Sequence, residues 1–494
     1  MDFPYLSLII FLPIAGAILI AFIPDLSQRM VRWIAAVFTS VPLLLALIMF
    51  VSFDRSSAAV GVMQFEEKVS WIATINANYH LGVDGLNLPL VLLMAFLGLM
   101  VVLISWKIDL RVREYFAWLL LLEASILGVF CALDLLLFFL FWEIEVIPMY
   151  FLISIWGSGR KEYSAIKYVI FTLFGSAMML TGILSLYFTT GSLSMLDIAG
   201  AGIGSFRAVI PVAAMFFFLL GGFAVKLPVF PLHTWLPDAH TDAPTAVSVV
   251  LAGALLKMGG YGMIRICLGI FPEVALRFAS LLAIFAVFTV LYGAAVTLRQ
   301  TDLKRLIAYS SISHMGYVFL GIFALTQVSL TGATLQMFSH GVITGLLFAV
   351  AGLVMHNTEE RNLSKLGGLA RQMPVVAIIF SVGGLGALGL PSTSGFAAEF
   401  LVFLGSFTST MVVGIKVLTI LAVLGVVLTA GYILWLVQRV FYGPVLEEFN
   451  WVSDADILEK VYAGCFIAVI MLVGIYPAIL TDVIKLGVLP MVGG

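Results

Sequence analysis

Uninterrupted apolar runs of about 20 residues recur along the whole chain, and a helix needs about 20 residues to cross a hydrocarbon core of about 30 Å. Chains built this way fold inside a bilayer. Of the 494 residues, 62% are hydrophobic and 11% charged, where a soluble domain carries roughly 25% charged residues. A water-soluble fold is therefore excluded. Strands of a membrane barrel would appear as alternating segments of about 10 residues, and that pattern is missing. The expected fold is an all-α polytopic membrane protein. A net charge of -2 offers no basic surface for nucleic acid. Cys131, Cys267 and Cys465 all lie in apolar runs, so neither a disulfide framework nor a cysteine metal site is indicated. The run from Phe3 to Pro24 follows Asp2 rather than a basic segment and has no small-residue cleavage site. It reads as a first transmembrane span, not as a signal peptide.

Apolar runs between polar breaks predict about fourteen spans. They cover 4–24, 31–52, 86–106, 115–133, 135–156, 166–188, 209–231, 243–269, 274–297, 305–326, 332–355, 374–403, 412–438 and 461–483. Lysine and arginine collect in cytoplasmic loops, so their distribution tests the count. Of the 25 such residues, those after odd-numbered spans form the large majority, among them Arg29, Arg32, Arg160, Lys161, Lys304 and Arg361. The opposite side holds Arg55, Lys68, Arg207, Arg265, Arg277, Lys416 and Lys485, and Lys226 and Lys257 fall inside spans. An even number of spans with both termini outside follows. No loop is long enough for a soluble domain. The longest, 53–85, joins spans 2 and 3 on the outer face.

A charged side chain at the bilayer centre costs roughly 2.5 to 3.5 kcal/mol on insertion scales, so a chain that keeps several needs them for a pathway or for structural pairs. Here they are Glu123, Glu143, Glu145, Lys226, Lys257, His314, His340 and Glu399. Lys226 lies in Gly221-Gly-Phe-Ala-Val-Lys-Leu-Pro-Val-Phe-Pro231. Pro228 and Pro231 cannot donate to the carbonyls four residues back, which predicts a helix break with Ala224 and Leu227 carbonyls freed beside the lysine. Irregular backbone at membrane depth is tolerated where it is buried in protein or lines a wet cavity. Span 12 repeats the device: Gly389-Leu-Pro391-Ser-Thr-Ser-Gly395 interrupts an apolar run, with Glu399 one turn beyond. Interrupted helices at corresponding positions of two halves point to an inverted repeat. The predicted layout is spans 1–3 in 1–110, a first five-helix repeat (spans 4–8) in 111–270, a second (spans 9–13) in 271–445, and span 14 in 446–494.

Glu143 and Glu145 are about 200° apart around the helix of span 5, so at most one points into a given channel. Lys257 sits in the middle of span 8. Desolvation favours a neutral amine and a neighbouring carboxylate favours the ammonium, so a buried lysine whose partner moves is a proton switch. His314 and His340, near the centres of spans 10 and 11, are able to pass protons between such lysines and Glu399. Three other signals are discounted. Gly384-Leu-Gly386-Ala-Leu-Gly389 fits a dinucleotide fingerprint but has no strand before it. Asn362-Leu-Ser364 fits a glycosylation acceptor in a loop expected to be cytoplasmic. His233 and His240 flank Thr-Trp-Leu-Pro-Asp-Ala, with too few ligands for a metal; His233 is kept as a secondary candidate with Glu123 and Glu145.

Several stretches carry a family resemblance. Phe141-Trp-Glu-Ile-Glu-Val-Ile-Pro-Met-Tyr150, Val225-Lys-Leu-Pro-Val-Phe-Pro-Leu-His-Thr-Trp-Leu-Pro-Asp-Ala-His240, Ala243-Pro-Thr-Ala-Val-Ser, Gln300 to Gly316 and Phe396-Ala-Ala-Glu-Phe400 together resemble the M-type (subunit 4) antiporter-like subunits of respiratory complex I, NADH-quinone oxidoreductase. Gly82-Val-Asp-Gly-Leu86 supports the likeness, which covers nearly the whole chain. It implies fourteen helices, two inverted five-helix repeats and a place in the membrane arm beside other antiporter-like subunits and the peripheral redox arm. Glu143 would pair with Lys226, Lys257 would be the connecting lysine, and Glu399 would replace the lysine that sister subunits carry on helix 12. The chain would serve as a subunit of a proton-translocating enzyme and hold no redox centre itself. NADH, FMN, iron–sulfur clusters and quinone would belong to partner subunits, and no cofactor or metal is expected here. The expected location is a bacterial inner (plasma) membrane ahead of a thylakoid membrane. The Trp-Glu-Ile-Glu pattern also resembles photosynthetic relatives fed by ferredoxin, so the electron donor stays open. Alternatives are a subunit of a multi-chain Na⁺/H⁺ antiporter, the membrane subunit of an energy-converting hydrogenase, and a structural scaffold.

Overall fold

The computed structural model describes residues 3–59 and 61–491; Asp2 lies outside them. Twelve helices in this range are long and apolar enough to cross a bilayer. They fall on the expected spans other than 7 and 12, and each of those two is a pair of shorter helices. Val212–Lys226 and Trp235–Asp242 flank the break that holds Pro228 and Pro231, and Pro374–Ala387 and Ser394–Thr408 flank the one that holds Pro391.

Local sequence explains where the helices begin. Asp134 accepts from the Leu136 and Leu137 amides, Asp302 from Arg305, and Thr326 and Asp456 form reciprocal capping boxes with Ser329 and Glu459. Such side chains satisfy amides that have no partner inside the helix.

Burial is uneven, and it places the ionisable groups. Span 8 (Thr245–Leu268) is buried throughout, and Leu303–Phe323 and Gln327–Thr358 nearly so, whereas only about a third of Tyr5–Phe22, Ile415–Val440 and Ile457–Ile475 is buried. The buried three carry Lys257, His314 and His340. The exposed faces of the outer helices are apolar, with Phe22, Val51, Phe188 and Val427 among the most accessible residues. In a lipid solvent these faces have no reason to be polar.

The all-helical expectation misses one element. Residues 53–85 are not a plain loop but hold an antiparallel hairpin, Gln64–Ile72 with Ala77–Val83, turned at Asn76 in the left-handed region (φ 54°). The hairpin is fastened to the bundle at two points. Glu67 accepts from the Leu6 amide at 2.8 Å and the Ser7 amide at 3.2 Å, so it caps the first helix from another element. The second strand meets the end of span 4, where the Leu133 amide donates to the His80 carbonyl at 2.9 Å and the Asn78 amide to Asp134 at 3.0 Å. Replacing a helix cap costs about 1 kcal/mol. Glu67→Ala is expected to destabilise the first helix by about that amount, read as a small fall in thermal midpoint and faster proteolysis of the hairpin in detergent, with the rest of the bundle intact.

Arg265, counted with the cations of the outer side, is buried within span 8. It pairs with Asp84 at 2.7 Å and donates to the Tyr261 hydroxyl at 3.3 Å. The Gly82-Val-Asp-Gly-Leu86 turn thereby joins span 8, and its Gly85 lies against the backbone of the C-terminal helix Ala478–Val488.

Candidate functional site

The break in span 7 does what its prolines predict, with one difference in the carbonyls. The helix stops at Lys226, but the Ala224 carbonyl is not free: it accepts from the Val229 amide at 3.1 Å. The Val225 carbonyl accepts from the Trp235 indole at 2.9 Å, a strap across the break. The Lys226 ammonium, 1% exposed, is left at the helix end.

Its salt-bridge partner is Glu145, and this corrects the expectation that Glu143 pairs with it. Span 5 is interrupted by a turn at Glu145, between Leu135–Ile144 and Val146–Trp156. With the two glutamates about 200° apart, Glu145 takes the direct contact with Lys226, and Glu143 stays within electrostatic reach of the ammonium without a salt bridge to it. Glu143 is half-buried, makes no salt bridge among the described residues, and its Oε1 has no hydrogen-bond partner. The Tyr168 hydroxyl closes the cluster, donating to Glu145 Oε2 at 2.6 Å and accepting from Lys226 Nζ at 3.0 Å. The rings of Trp142 and Tyr168 lie 5.7 and 5.1 Å from the ammonium. Glu145 was a secondary candidate by sequence, and Tyr168 gave no sequence signal at all.

A second cluster occupies the bundle axis. Span 8 departs from α-helical winding on both sides of Lys257, with π-helical turns at Leu251–Leu255 and Met263–Leu268. Such turns leave carbonyls imperfectly matched, and the Lys257 ammonium donates back to the Ala252 carbonyl within the first. It also lies 2.8 Å from His340 Nδ1; with the ammonium as donor the ring proton sits on Nε2, an atom without a partner among the described residues. The His314 ring is 5.4 Å from that of His340. Its Nε2 donates to the Ala387 carbonyl at 3.0 Å, at the last residue before the break in span 12, and lies 3.7 Å from Glu399 Oε1. Gln336 donates to the same carboxylate oxygen at 3.4 Å.

The break positions Glu399. Gly389 has φ +75°, a left-handed conformation that favours glycine, and a Cβ there would stand 2.9 Å from Glu399 Oε2. Between His314, Gln336, His340, Gly386 and Glu399 lies a cavity of about 10 Å³, room for about one water. Lys257, His340, His314 and Glu399 thus form one buried series, and proton exchange along it needs no large movement.

The other candidates stand apart. No side-chain hydrogen bond links Lys226 to Lys257 among the described residues. Glu123 is buried on span 4 against Gly98, with Oε1 unpartnered. His233 stacks on Phe230, meets the Tyr292 ring edge-on, and joins neither cluster. His240, set aside in the sequence, is fully buried with both ring nitrogens unpartnered.

The chain is similar to known proteins over nearly its whole length. The profile of the family described as NADH:quinone oxidoreductase/Mrp antiporter, transmembrane, matches residues 132–427. NAD(P)H-quinone oxidoreductase chain 4 1 of Synechococcus elongatus is 42% identical over 98% of this chain and 90% of its own length. NADH-quinone oxidoreductase subunit M of Rhodobacter capsulatus is 39% identical, covering 97% of this chain and 94% of its own. A chain of respiratory complex I from Thermus thermophilus superposes with a TM-score of 0.87 at 27% identity, covering 99% of this chain and 100% of that one. With a matching profile over more than half its length and whole-chain relatives at about 40% identity, the chain belongs to the family of NADH-quinone oxidoreductase chain 4, or subunit M.

Proposed function

We propose that this chain is a proton-translocating membrane-arm subunit of an NADH-quinone oxidoreductase, beside other antiporter-like subunits and the peripheral arm. The observation that carries the proposal is the buried series Lys257–His340–His314–Glu399 on the bundle axis, accompanied by the Lys226–Glu145 pair at a helix break. In this reading, charge displacement from the redox reaction loosens the Lys226–Glu145 pair, and Lys226 then loses the carboxylate that holds its proton. Lys257 passes a proton to His340 Nδ1. The ring releases the one on Nε2 toward the small cavity, and Glu399 receives it.

Magnitudes permit the scheme. Moving one charge against 100 mV takes about 2.3 kcal/mol, and breaking a buried ion pair changes free energy by about 3–5 kcal/mol. One such event is enough for one charge.

The finer assignments belong to the same reading. The chain crosses the membrane fourteen times with both termini outside, since most lysines and arginines lie on one face. Spans 4–8 and 9–13 are inverted repeats, as the two matched breaks suggest. NADH, FMN, iron–sulfur clusters and quinone belong to partner subunits. The cyanobacterial relatives admit a thylakoid membrane as well as a bacterial plasma membrane. A Na⁺/H⁺ antiporter subunit is the second reading, because the matching profile spans both groups; the near 40% identity to oxidoreductase chains favours the first.

Purification through a tag on this chain tests the proposal. Redox subunits and quinone reductase activity are expected in the purified complex, with proton uptake into vesicles driven by that activity. A complex without redox subunits that exchanges Na⁺ for H⁺ overturns it.

A further inference from the structure

Glu399 ends the buried series, and its two protonation states need different hydrogen bonds. A carboxylate only accepts, whereas a carboxylic acid also donates, and at this depth either state is costly without a partner. Glu399 is 5% exposed, and among the described residues its side chain accepts one hydrogen bond, from Gln336 Nε2 at 3.4 Å. His314 stands 3.7 Å away, but the hydrogen on its Nε2 goes to the Ala387 carbonyl at 3.0 Å.

Gln336 is 2% exposed and lies on span 11 one turn before His340, so the two side chains share a face. Both line the cavity of about 10 Å³ that also meets His314 and Glu399. With the amide nitrogen on Glu399, the amide oxygen is buried and has no partner among the described residues. A buried acceptor left empty is rare, and this one has a use. A half-turn about the last side-chain torsion, which is broad for glutamine, exchanges nitrogen and oxygen, and the oxygen then accepts from a protonated Glu399.

We propose that Gln336 is a positioning residue for proton transfer at Glu399, an amide that matches the carboxylate through its nitrogen and the carboxylic acid through its oxygen. No proton enters or leaves the amide itself. The proton that arrives from the cavity forms the Glu399 O–H bond, Gln336 turns to accept from that hydroxyl, and it turns back when Glu399 releases the proton. An apolar side chain at this position would leave the carboxylate unpaired, and a lysine, which only donates, would leave the acid hydrogen unpaired. The inference rests on the proposed function, because Glu399 changes protonation only if the series carries protons.

The test uses the whole complex in vesicles, with assembly checked by native electrophoresis. Gln336→Met keeps the length of the side chain without its amide, and Gln336→Asn draws the amide back by one methylene. Each is expected to slow quinone-coupled proton uptake by about tenfold, the scale of one hydrogen bond to a charged group. Infrared difference spectra during turnover give a readout that packing alone does not move. The carboxylic-acid band of Glu399, identified by its absence in Glu399→Gln, is expected at higher frequency in both Gln336 variants, where the acid has lost its acceptor. Wild-type uptake in either variant, or a band that stays at its wild-type frequency, overturns the role of Gln336. Normal uptake in Glu399→Gln instead brings down the proposed function, so the two failures are told apart.

Discussion

Glu145→Gln is expected to abolish proton pumping and coupled quinone reduction, while Glu143→Gln leaves a substantial part of both. The glutamine keeps the size of the side chain and its bond from Tyr168, but it leaves the Lys226 ammonium buried without a countercharge. Removing one partner of a buried pair costs about 3–5 kcal/mol, so the variant is also expected to be less stable and to lose turnover by on the order of a hundredfold. Glu143 is half-buried and makes no salt bridge to Lys226 among the described residues, and its removal leaves the Glu145 countercharge in place. Activity of each variant, measured on complexes whose assembly is checked by native electrophoresis, decides the matter. Equal and severe losses in both would return Glu143 to the pair that family resemblance implies.

For Lys257→Met the structure predicts opposite signs for stability and activity. Lys257 is wholly buried and its partners are a carbonyl and an imidazole, with no carboxylate among them. An unbranched apolar side chain of similar length removes that burden, and replacing buried charges with well-fitted apolar groups stabilises by roughly 1–4 kcal/mol. Pumping is expected to vanish, since the series loses its first basic group. Thermal unfolding and proton uptake measured on the same preparation give the comparison. A variant that is both less stable and active would mean that Lys257 is a structural residue.

Much of this architecture was legible in the sequence because lipid imposes simple rules. Apolar runs of fixed length gave the spans, and proline beside a buried charge marked the breaks at Lys226 and ahead of Glu399. Helical geometry stated that Glu143 and Glu145 cannot share a face, but choosing between them required the turn at Glu145, a break that Pro148, which cannot donate to the Ile144 carbonyl, marks and that the sequence reading passed over. Tyr168 was invisible for a related reason: a tyrosine in an apolar helix has the same appearance whether its hydroxyl meets water or a carboxylate. The hairpin escaped notice because Glu66, Glu67 and Lys68 are consecutive polar residues that break any period-two alternation. His240 was weighed as a metal ligand when its burial, not its spacing, is what sets it apart. Arg265 was counted with the outer-side cations because its partner, Asp84, is distant in sequence.

The two wide turns of span 8 carry a mechanical consequence. A π turn holds one residue more than an α turn, so it is a small store of spare backbone, and Lys257 rides on the seven-residue α-helical stretch Leu256–Gly262 held between two such stores. Passing the extra residue from one side to the other advances the stretch by one position, which swings a side chain by about 100° and shifts it by about 1.5 Å along the axis. Only the hydrogen bonds at the moving turn are exchanged. The helix therefore has the makings of a crank: Lys257 can be turned toward one neighbour or another while the ends of the span, at Pro244 and beyond Leu268, stay in place.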